Sequence, residues 1–328
     1  MSDLSRLPAQ RPTIHPPGLS RRHWLLAAAA APLLGACAST PLPLSVSPNG
    51  RNDGAQRLLE TAQAHGLAAY RDINNINVSY GGQWRPFIGR IQPEVVDSGY
   101  RIKSEERLLP KLAINAQAYR GPAGHKQVWW QRGPQQPAAA TRSAAAGTTA
   151  PASANWGQAR VWYNGVANTE PAVLRAAALV AECYGLFLLG PLWLVDRNLP
   201  AQLNGTEQVD GQTCDVLDLW LQPGLGLVAR DRVSLCIDRR TNLTRRMRFT
   251  LEGFSGTQGA VAETDTFDHQ TRFGVSWPMR SFERVRHPLR LPAHDWFITG
   301  LDVNRGYDAN ALAGATYTGA AAAPAQAV

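Results

Sequence analysis

The chain is poor in the groups from which catalytic and metal sites are usually built. It has four cysteines, none in a CxxC pair or beside histidines at zinc-ligand spacing, which excludes the common structural zinc modules. Its seven histidines are scattered. No G-x-S-x-G nucleophile elbow occurs, and Gly224-Leu225-Gly226 is not followed by the rest of a phosphate loop. His269 follows Phe267-Asp268 and is a candidate base, while Asp238 and Asp302 fall at strand ends. Surface and turn roles are the commoner ones for all three, so no catalytic residue, metal ligand or cofactor is assigned. A large excess of charge is lacking too. The formal net charge is +8, and the arginines are spread along the chain, which argues against a nucleic-acid groove.

What is present is most distinctive at the N-terminus. Ser20-Arg21-Arg22-His23-Trp24-Leu25-Leu26 opens an apolar, Ala-rich run that ends in Leu34-Gly35-Ala36-Cys37. A charged region, a short apolar stretch and small residues before a cleavage point are the parts of a secretory signal. The run is well short of the ~20 residues a spanning helix needs. Arg21 and Arg22 resemble a twin-arginine export signal, with Trp24 and Leu26 in its apolar places. Leu34 to Cys37 resembles the lipobox of bacterial lipoproteins. The resemblance implies export of an already folded protein, a diacylglycerol on the Cys37 thiol, and a mature chain that begins there. Ala38 after the cysteine, where retention signals carry Asp, implies the outer membrane, facing the periplasm. Cleavage leaves 29 basic and 24 acidic side chains, about +5, and a mildly basic surface near a membrane meets anionic headgroups.

Composition divides the chain further. Residues 1–36 are the signal, and 37–54 are a Ser/Pro/Gly-rich tether. Residues 55–307 are the folded domain, interrupted by a low-complexity insertion at 133–155 that is expected to be disordered. Residues 308–328 fade into an Ala- and Pro-rich loose tail. A first helix is expected from Ala55 to about His65, with Leu58, Leu59 and Ala62 on one face and Gly66 as its stop. Ile76, Val78 and Tyr80 alternate as a strand before Gly81-Gly82. Gln127–Gln131 and Arg160–Tyr163 read as one hairpin with the insertion at its tip. Pro171 to Val195 is the most apolar stretch of the mature chain, with Pro171 suited to a helix first turn and Gly190-Pro191 to a break. A membrane span there would bury Arg175 and Glu182 in hydrocarbon, so a helix inside the protein is the better reading. From Gly205 onward, alternating segments separated by turns indicate an antiparallel meander. The pattern alone gives a curved sheet with helices inserted.

One hairpin register can be tested within the sequence. If residues pair when their numbers sum to 450, Leu217 faces Val233 on an apolar side, and Asp218 meets Arg232 on the other. Cys214 then meets Cys236. An oxidising compartment permits a disulfide, although a bridge directly across two strands can be strained, so a bond and two free thiols both stay open. Cys183 is expected to be free.

The order of features resembles the LolA/LolB-like lipoprotein-carrier superfamily, which includes the RseB/MucB-type regulators. The residues that carry this are the helix end His65-Gly66-Leu67, the lead into the first strand at Tyr70-Arg71-Asp72-Ile73, and Val161 to Gly165 before the apolar helix. To these are added Val209 to Leu217 and the strand Val233 to Leu243 with its Asp238 and Thr241. The resemblance implies an α+β fold: a strongly curved antiparallel sheet, an open half-barrel, with helices packed in its concavity as a lid. It also implies a lipid or other hydrophobic ligand between sheet and lid. Leu186, Phe187, Leu188, Leu189, Leu192 and Trp193 would line that site with Leu217, Leu219, Leu235, Ile237 and Phe249. The many tryptophans on or beside strands fit ordinary packing or such a cavity. Two other classes remain open, an assembly lipoprotein that binds another envelope protein and a periplasmic enzyme.

Overall fold

The computed structural model describes residues 53–134, 156–251, 257 and 259–316. Arg21, Arg22, Cys37, residues 37–52 of the tether and residues 135–155 of the insertion lie outside the described residues, while Asp53 and Gly54, assigned to the tether, open the first helix.

Among the described residues thirteen strands form one antiparallel, unclosed sheet, as an open half-barrel requires. In chain order they are β1 (Ile76–Trp84), β2 (Lys103–Leu109), β3 (Ile114–Gly121), β4 (Gly124–Arg132), β5 (Gly157–Tyr163), β6 (Val166–Asn168) and β7 (Ala201–Val209). They continue as β8 (Gln212–Leu221), β9 (Asp231–Asp238), β10 (Thr244–Thr250), β11 (Val261–Arg272), β12 (Val275–His287) and β13 (Leu291–Val303). The spatial order is β6-β5-β4-β3-β2-β1-β13-β12-β11-β10-β9-β8-β7. Every neighbouring pair is consecutive in the chain except β1 with β13, where Ile76 lies opposite Val303. The chain therefore makes two meanders that meet at a single seam. The expected hairpin of β4 and β5 is present, with Val128 opposite Val161.

Seven α-helices are described: α1 (Asp53–Ala64), α2 (Leu67–Arg71), α3 (Pro86–Ile91), α4 (Pro93–Val96), α5 (Pro171–Leu189), α6 (Pro191–Leu194) and α7 (Ala309–Leu312). α5 and α6 connect β6 to β7, the two edges of the sheet. α5 is long and apolar enough to cross a membrane by length and composition. Instead every residue from Ala176 to Leu189 is buried in the protein. A helix apolar on all sides must be covered on all sides, and the sheet supplies most of the cover. Leu186, Phe187 and Leu189 share one buried cluster with Ile76, Leu217, Leu235, Met247, Trp277 and Trp296, and Leu58 and Ala62 of α1 complete it. The loop between β8 and β9 closes on the helix at Gly226, whose φ is +65°; a Cβ there would stand 2.7 Å from the Leu179 nitrogen. Gly190, with φ +50° and ψ −118°, separates α5 from α6.

Two expectations need correction. In the β8–β9 pair Leu217 faces Leu235, Val216 faces Cys236 and Cys214 faces Asp238, so paired numbers sum to 452. A two-residue displacement leaves every side chain on its predicted face, since side chains alternate with period two, but it replaces each cross-strand partner. Asp218 lies opposite Ser234 and accepts a short hydrogen bond from its hydroxyl. Cys214 and Cys236 are thereby diagonal neighbours, packed with Val209 and Val216, and both are free thiols, as is Cys183. Burial pushes Cys214 up to about 11 and Cys236 up to about 12. Denatured but unreduced mature protein should therefore accept an alkylating label at Cys183, Cys214 and Cys236, while the native protein labels slowly. A mass showing only one labelled thiol after denaturation would restore the disulfide.

The second correction concerns the segment assigned to the tail. Asp308 caps α7 by accepting from the Ala311 nitrogen at 3.0 Å. Leu312 is 1% exposed and packs with Leu109, Ile114 and Trp129. One apolar residue with a pocket to fill is enough to hold this turn against the sheet, and a compositional reading has no means of seeing it.

Candidate ligand-binding site

The residues expected to line a ligand site are brought together. Leu186, Phe187, Leu188, Leu189, Leu192 and Trp193 meet Leu217, Leu219, Leu235, Ile237 and Phe249 in the main cluster, each 5% exposed or less. At these positions the helix and the sheet are packed side chain against side chain. Truncating one of these leucines to alanine would cost ~2–5 kcal/mol.

α5 is held in place by a carboxylate within its apolar run. Glu182 is fully buried and accepts from Trp130 Nε1 at 2.7 Å, from an Arg132 terminal nitrogen at 2.8 Å and from Trp193 Nε1 at 3.4 Å. A guanidinium nitrogen of Arg197 is 3.8 Å away, and the Arg132 guanidinium stacks over the Trp193 ring. Burial alone would push Glu182 up; Arg132, Arg197 and the hydrogen bonds outweigh it and hold the carboxyl below its usual range. Asn115 on β3 adds a bond to the Ala181 carbonyl at 2.7 Å.

The face of the sheet beneath the helix is not uniform. The centre of β8 to β10 is apolar, with Leu217, Leu219, Val233, Leu235, Ile237, Met247 and Phe249, but a polar stripe crosses the face from β11 to β4. Thr264 lies opposite Glu283, and Glu283 opposite His294. On the far side of β1, Ser104 lies opposite Tyr119 and Glu106 opposite Gln117, with Lys126 beyond Tyr119. Glu106 accepts from the Gln117 amide, yet Glu106 Oε2, Gln117 Oε1 and Thr264 Oγ1 are buried with no hydrogen-bond partner among the described residues. Burial pushes the Glu106 carboxyl up to about 8 and that of Glu283 up to about 7. The stripe is thus polar, and its two carboxyls are only partly ionised near neutrality.

The stripe reaches the surface at a pocket of about 20 Å³ between β1, β2 and β13. Its walls are mainly rings, from Tyr80, Trp84, Tyr119, Tyr184, His294 and Trp296, with the guanidinium of Arg101 among them. His294 stacks flat on Trp84, with centroids 4.1 Å apart, and on Trp296 at 4.7 Å. Its Nδ1 lies 3.1 Å from the Tyr184 hydroxyl. Burial, with Arg101 nearby, keeps His294 well below its usual range and therefore neutral. Gly82 leaves the floor open. Its φ is +155°, and a Cβ there would stand 2.7 Å from the Trp296 Cα. The volume suits about one water or one ligand oxygen. Trp296 and Tyr184 belong at once to this wall and to the main apolar cluster, so the pocket and the core are contiguous. Trp84 and Trp296 are among the tryptophans that the sequence offers for core packing or a cavity; Arg101, Tyr119, Tyr184 and His294 escaped the sequence reading because no local motif joins them.

His269 lies elsewhere. Its ring meets His65 edge-on, with centroids 5.8 Å apart, and neither ring nitrogen has a hydrogen-bond partner among the described residues. His65 ties α1 to the sheet: its Nε2 accepts from the Thr244 nitrogen at 3.0 Å, and its Nδ1 is 3.3 Å from the Ser276 carbonyl. Burial, with His269 beside it, lowers His65 from 6.5 to about 3. The unfolded chain binds this proton below pH 6.5 and the folded protein does not. Stability is therefore complete above pH 6.5 and falls progressively as pH drops from there toward about 3. The loss should reach several kcal/mol, at roughly 1.4 kcal/mol per unit. Urea titrations across this range should show it, and His65→Gln, less stable at neutral pH, should show a flatter profile.

No family model matches the chain, and no curated protein matches it. Solved structures are similar at low identity. A DUF1329 family protein from Desulfovibrio piger is 11% identical over 79% of this chain and 98% of that one, with a TM-score of 0.47. A LolA superfamily protein from Nitrosomonas europaea is 12% identical over 79% and 97%, with a TM-score of 0.37. The Mycobacterium tuberculosis lipoprotein LppX is 10% identical over 77% and 98%, with a TM-score of 0.24.

Proposed function

We propose that this protein is a lipid-anchored envelope protein that binds a lipid or other hydrophobic ligand between α5 and the sheet, and that it is a binding protein rather than an enzyme. In this reading Arg21 and Arg22 direct twin-arginine export, Cys37 carries the anchor, and the domain faces the periplasm from the outer membrane. The sheet is a curved half-barrel with α5 in its concavity. Packing supports the curvature. α5 joins the two edges while packing in one cluster with residues of β1, β8, β9, β10, β12 and β13, a set of strands that a curved sheet brings to one helix more readily than a flat one about 58 Å wide, at about 4.8 Å per strand.

The observation that carries the reading is the divided face beneath the helix. An apolar field and a polar stripe meet at a ring-lined pocket that opens to solvent. A face meant only to hold a core helix has no use for Glu106, Gln117 and Thr264 with buried oxygens left unbonded, each costing ~1–3 kcal/mol. An amphipathic ligand would use both parts, its chain along Phe187 and Trp296 and its polar end toward the stripe. Entry requires α5 to shift, since its contacts are closed in this structure. Organic extraction of the purified protein followed by mass spectrometry should return non-covalent lipid, and a fluorescent fatty-acid probe should bind the extracted protein. Protein that carries no lipid and binds no probe would be a packed scaffold, and the weight would move to a role in envelope assembly.

A further inference from the structure

We propose that Arg101 is the receptor for an anionic head, a carboxylate or phosphate carried on an apolar chain, so that the ligand is an acidic amphiphile. This rests on the ligand-binding reading above and specifies its chemistry.

The direct contacts of the Arg101 guanidinium are with neutral groups alone, while Asp97 and Glu106 favour its charge from longer range. One terminal nitrogen donates to the Val95 carbonyl at 2.5 Å and the other to the Tyr184 hydroxyl at 3.1 Å. Its guanidinium carbon lies 4.9 Å from the Trp84 ring centroid, 5.0 Å from that of Tyr119 and 5.4 Å from that of Tyr184. Among the described residues no carboxylate oxygen comes within 4 Å of it, whereas Lys126 has Asp97 at 2.6 Å and Arg132 has Glu182 at 2.8 Å. A cation removed from water normally takes an anionic partner. Here three aromatic faces stand in for it, and the fork remains in the pocket wall with donors to spare.

The surroundings select an anion over a cation. Asp97 is occupied by Lys126 and by the Tyr163 hydroxyl at 2.7 Å. Glu106 and Glu283 act on Arg101 only at longer range; burial keeps Glu106, pushed up to about 8, mostly protonated near neutrality and Glu283, pushed up to about 7, only partly ionised, and His294 is uncharged. The positive charge at the pocket is therefore that of Arg101. A planar guanidinium matches the two oxygens of a carboxylate or phosphate. The pocket as it stands has room for one oxygen of that head, so the second reaches the guanidinium only with the shift of α5 that ligand entry already requires; the adjoining rings of Tyr184, Trp296 and Phe187 lead into the apolar field, where centroids of neighbouring rings are 5.3–5.5 Å apart.

The test compares a fluorescent fatty acid, ionised at neutral pH, with its methyl ester, using the full-length protein and two variants. The acid should bind the parent about tenfold more tightly than the ester, as expected for a hydrogen bond to a charged group. Arg101→Met, close in length but uncharged, should erase that difference while still binding the ester. Arg101→Lys should keep part of it. Ester binding by Arg101→Met also reports that the variant is folded. Equal binding of acid and ester by the parent, or a preference that survives in Arg101→Met, would overturn the proposal while leaving hydrophobic binding intact. Failure of both probes to bind the parent would instead remove the ligand-binding reading and this proposal with it. Acetate and inorganic phosphate, added as competitors, should displace the acid only weakly. Displacement by either as readily as by the unlabelled fatty acid would assign the site to a free anion and overturn the amphiphile.

Discussion

Replacing Glu182 with alanine should destabilise the protein by ~3–5 kcal/mol, because it strands buried cations rather than merely deleting a contact. Arg197 is 8% exposed and Arg132 lies across the Trp193 ring, so neither can regain its hydration without opening the helix interface. Trp130 Nε1 loses its acceptor in the same step. Glu182→Gln keeps an acceptor for Trp130 and should cost less. Replacing Glu182, Arg132 and Arg197 together with apolar residues of similar volume should cost less again, since no charge is then left unmatched. Urea denaturation at neutral pH measures all three. A loss below ~1 kcal/mol for Glu182→Ala would mean that water reaches both arginines in the folded protein.

The second large effect is on location. Cys37→Ser should abolish lipidation and cleavage, leaving a precursor that no longer partitions into detergent with the membrane fraction. Changing Arg21 and Arg22 to lysine should block export and leave folded precursor in the cytoplasm. Acyl chains add about 0.8 kcal/mol for each buried methylene, so loss of the anchor is close to all-or-none in a fractionation. A Cys37→Ser protein that still fractionates with the outer membrane would refute the lipobox reading, and normal export of the lysine pair would point to the general secretory route.

The elements legible in the sequence are those whose side chains alternate without interruption. β8 and β9 show the alternation in Leu217, Leu219 and Leu221 and in Val233, Leu235 and Ile237, and β4 and β5 carry matching Val-Trp and Val-Trp-Tyr runs, so their pairing was visible across the insertion. β2 and β3 were not, because their inward positions are Ser104, Glu106, Asn115 and Gln117, which carry no apolar signal. The same substitution of polar for apolar that hid these strands creates the stripe at the candidate site. The β8–β9 register slipped by two residues because Leu217, Leu219, Val233 and Leu235 are interchangeable on one face; the loop from Gln222 to Arg230, anchored where the Leu225 nitrogen bonds Asp231, selects among them. Glu182 was legible only as an anomaly. A lone carboxylate in the most apolar run of the chain announces a buried counter-charge, but neither Arg132 nor Arg197 is near enough in sequence to be picked out.

The meeting of the two meanders along β1 and β13 also sets the order in which the chain can fold. Each meander is made of neighbours in sequence and can close its hydrogen bonds quickly, strand by strand. The seam joins Ile76 to Val303 and Trp84 to His294 across most of the chain, and contacts of such separation are the slow ones to form. It has to form after both halves exist, and it is already irregular at Ser79–Tyr80 beside Gly81 and Gly82. Amide exchange should find its hydrogen bonds less protected than those of β8 and β9. The pocket of Arg101 stands on this seam, so a ligand that reaches it touches the one line of hydrogen bonds that ties the two ends of the domain together.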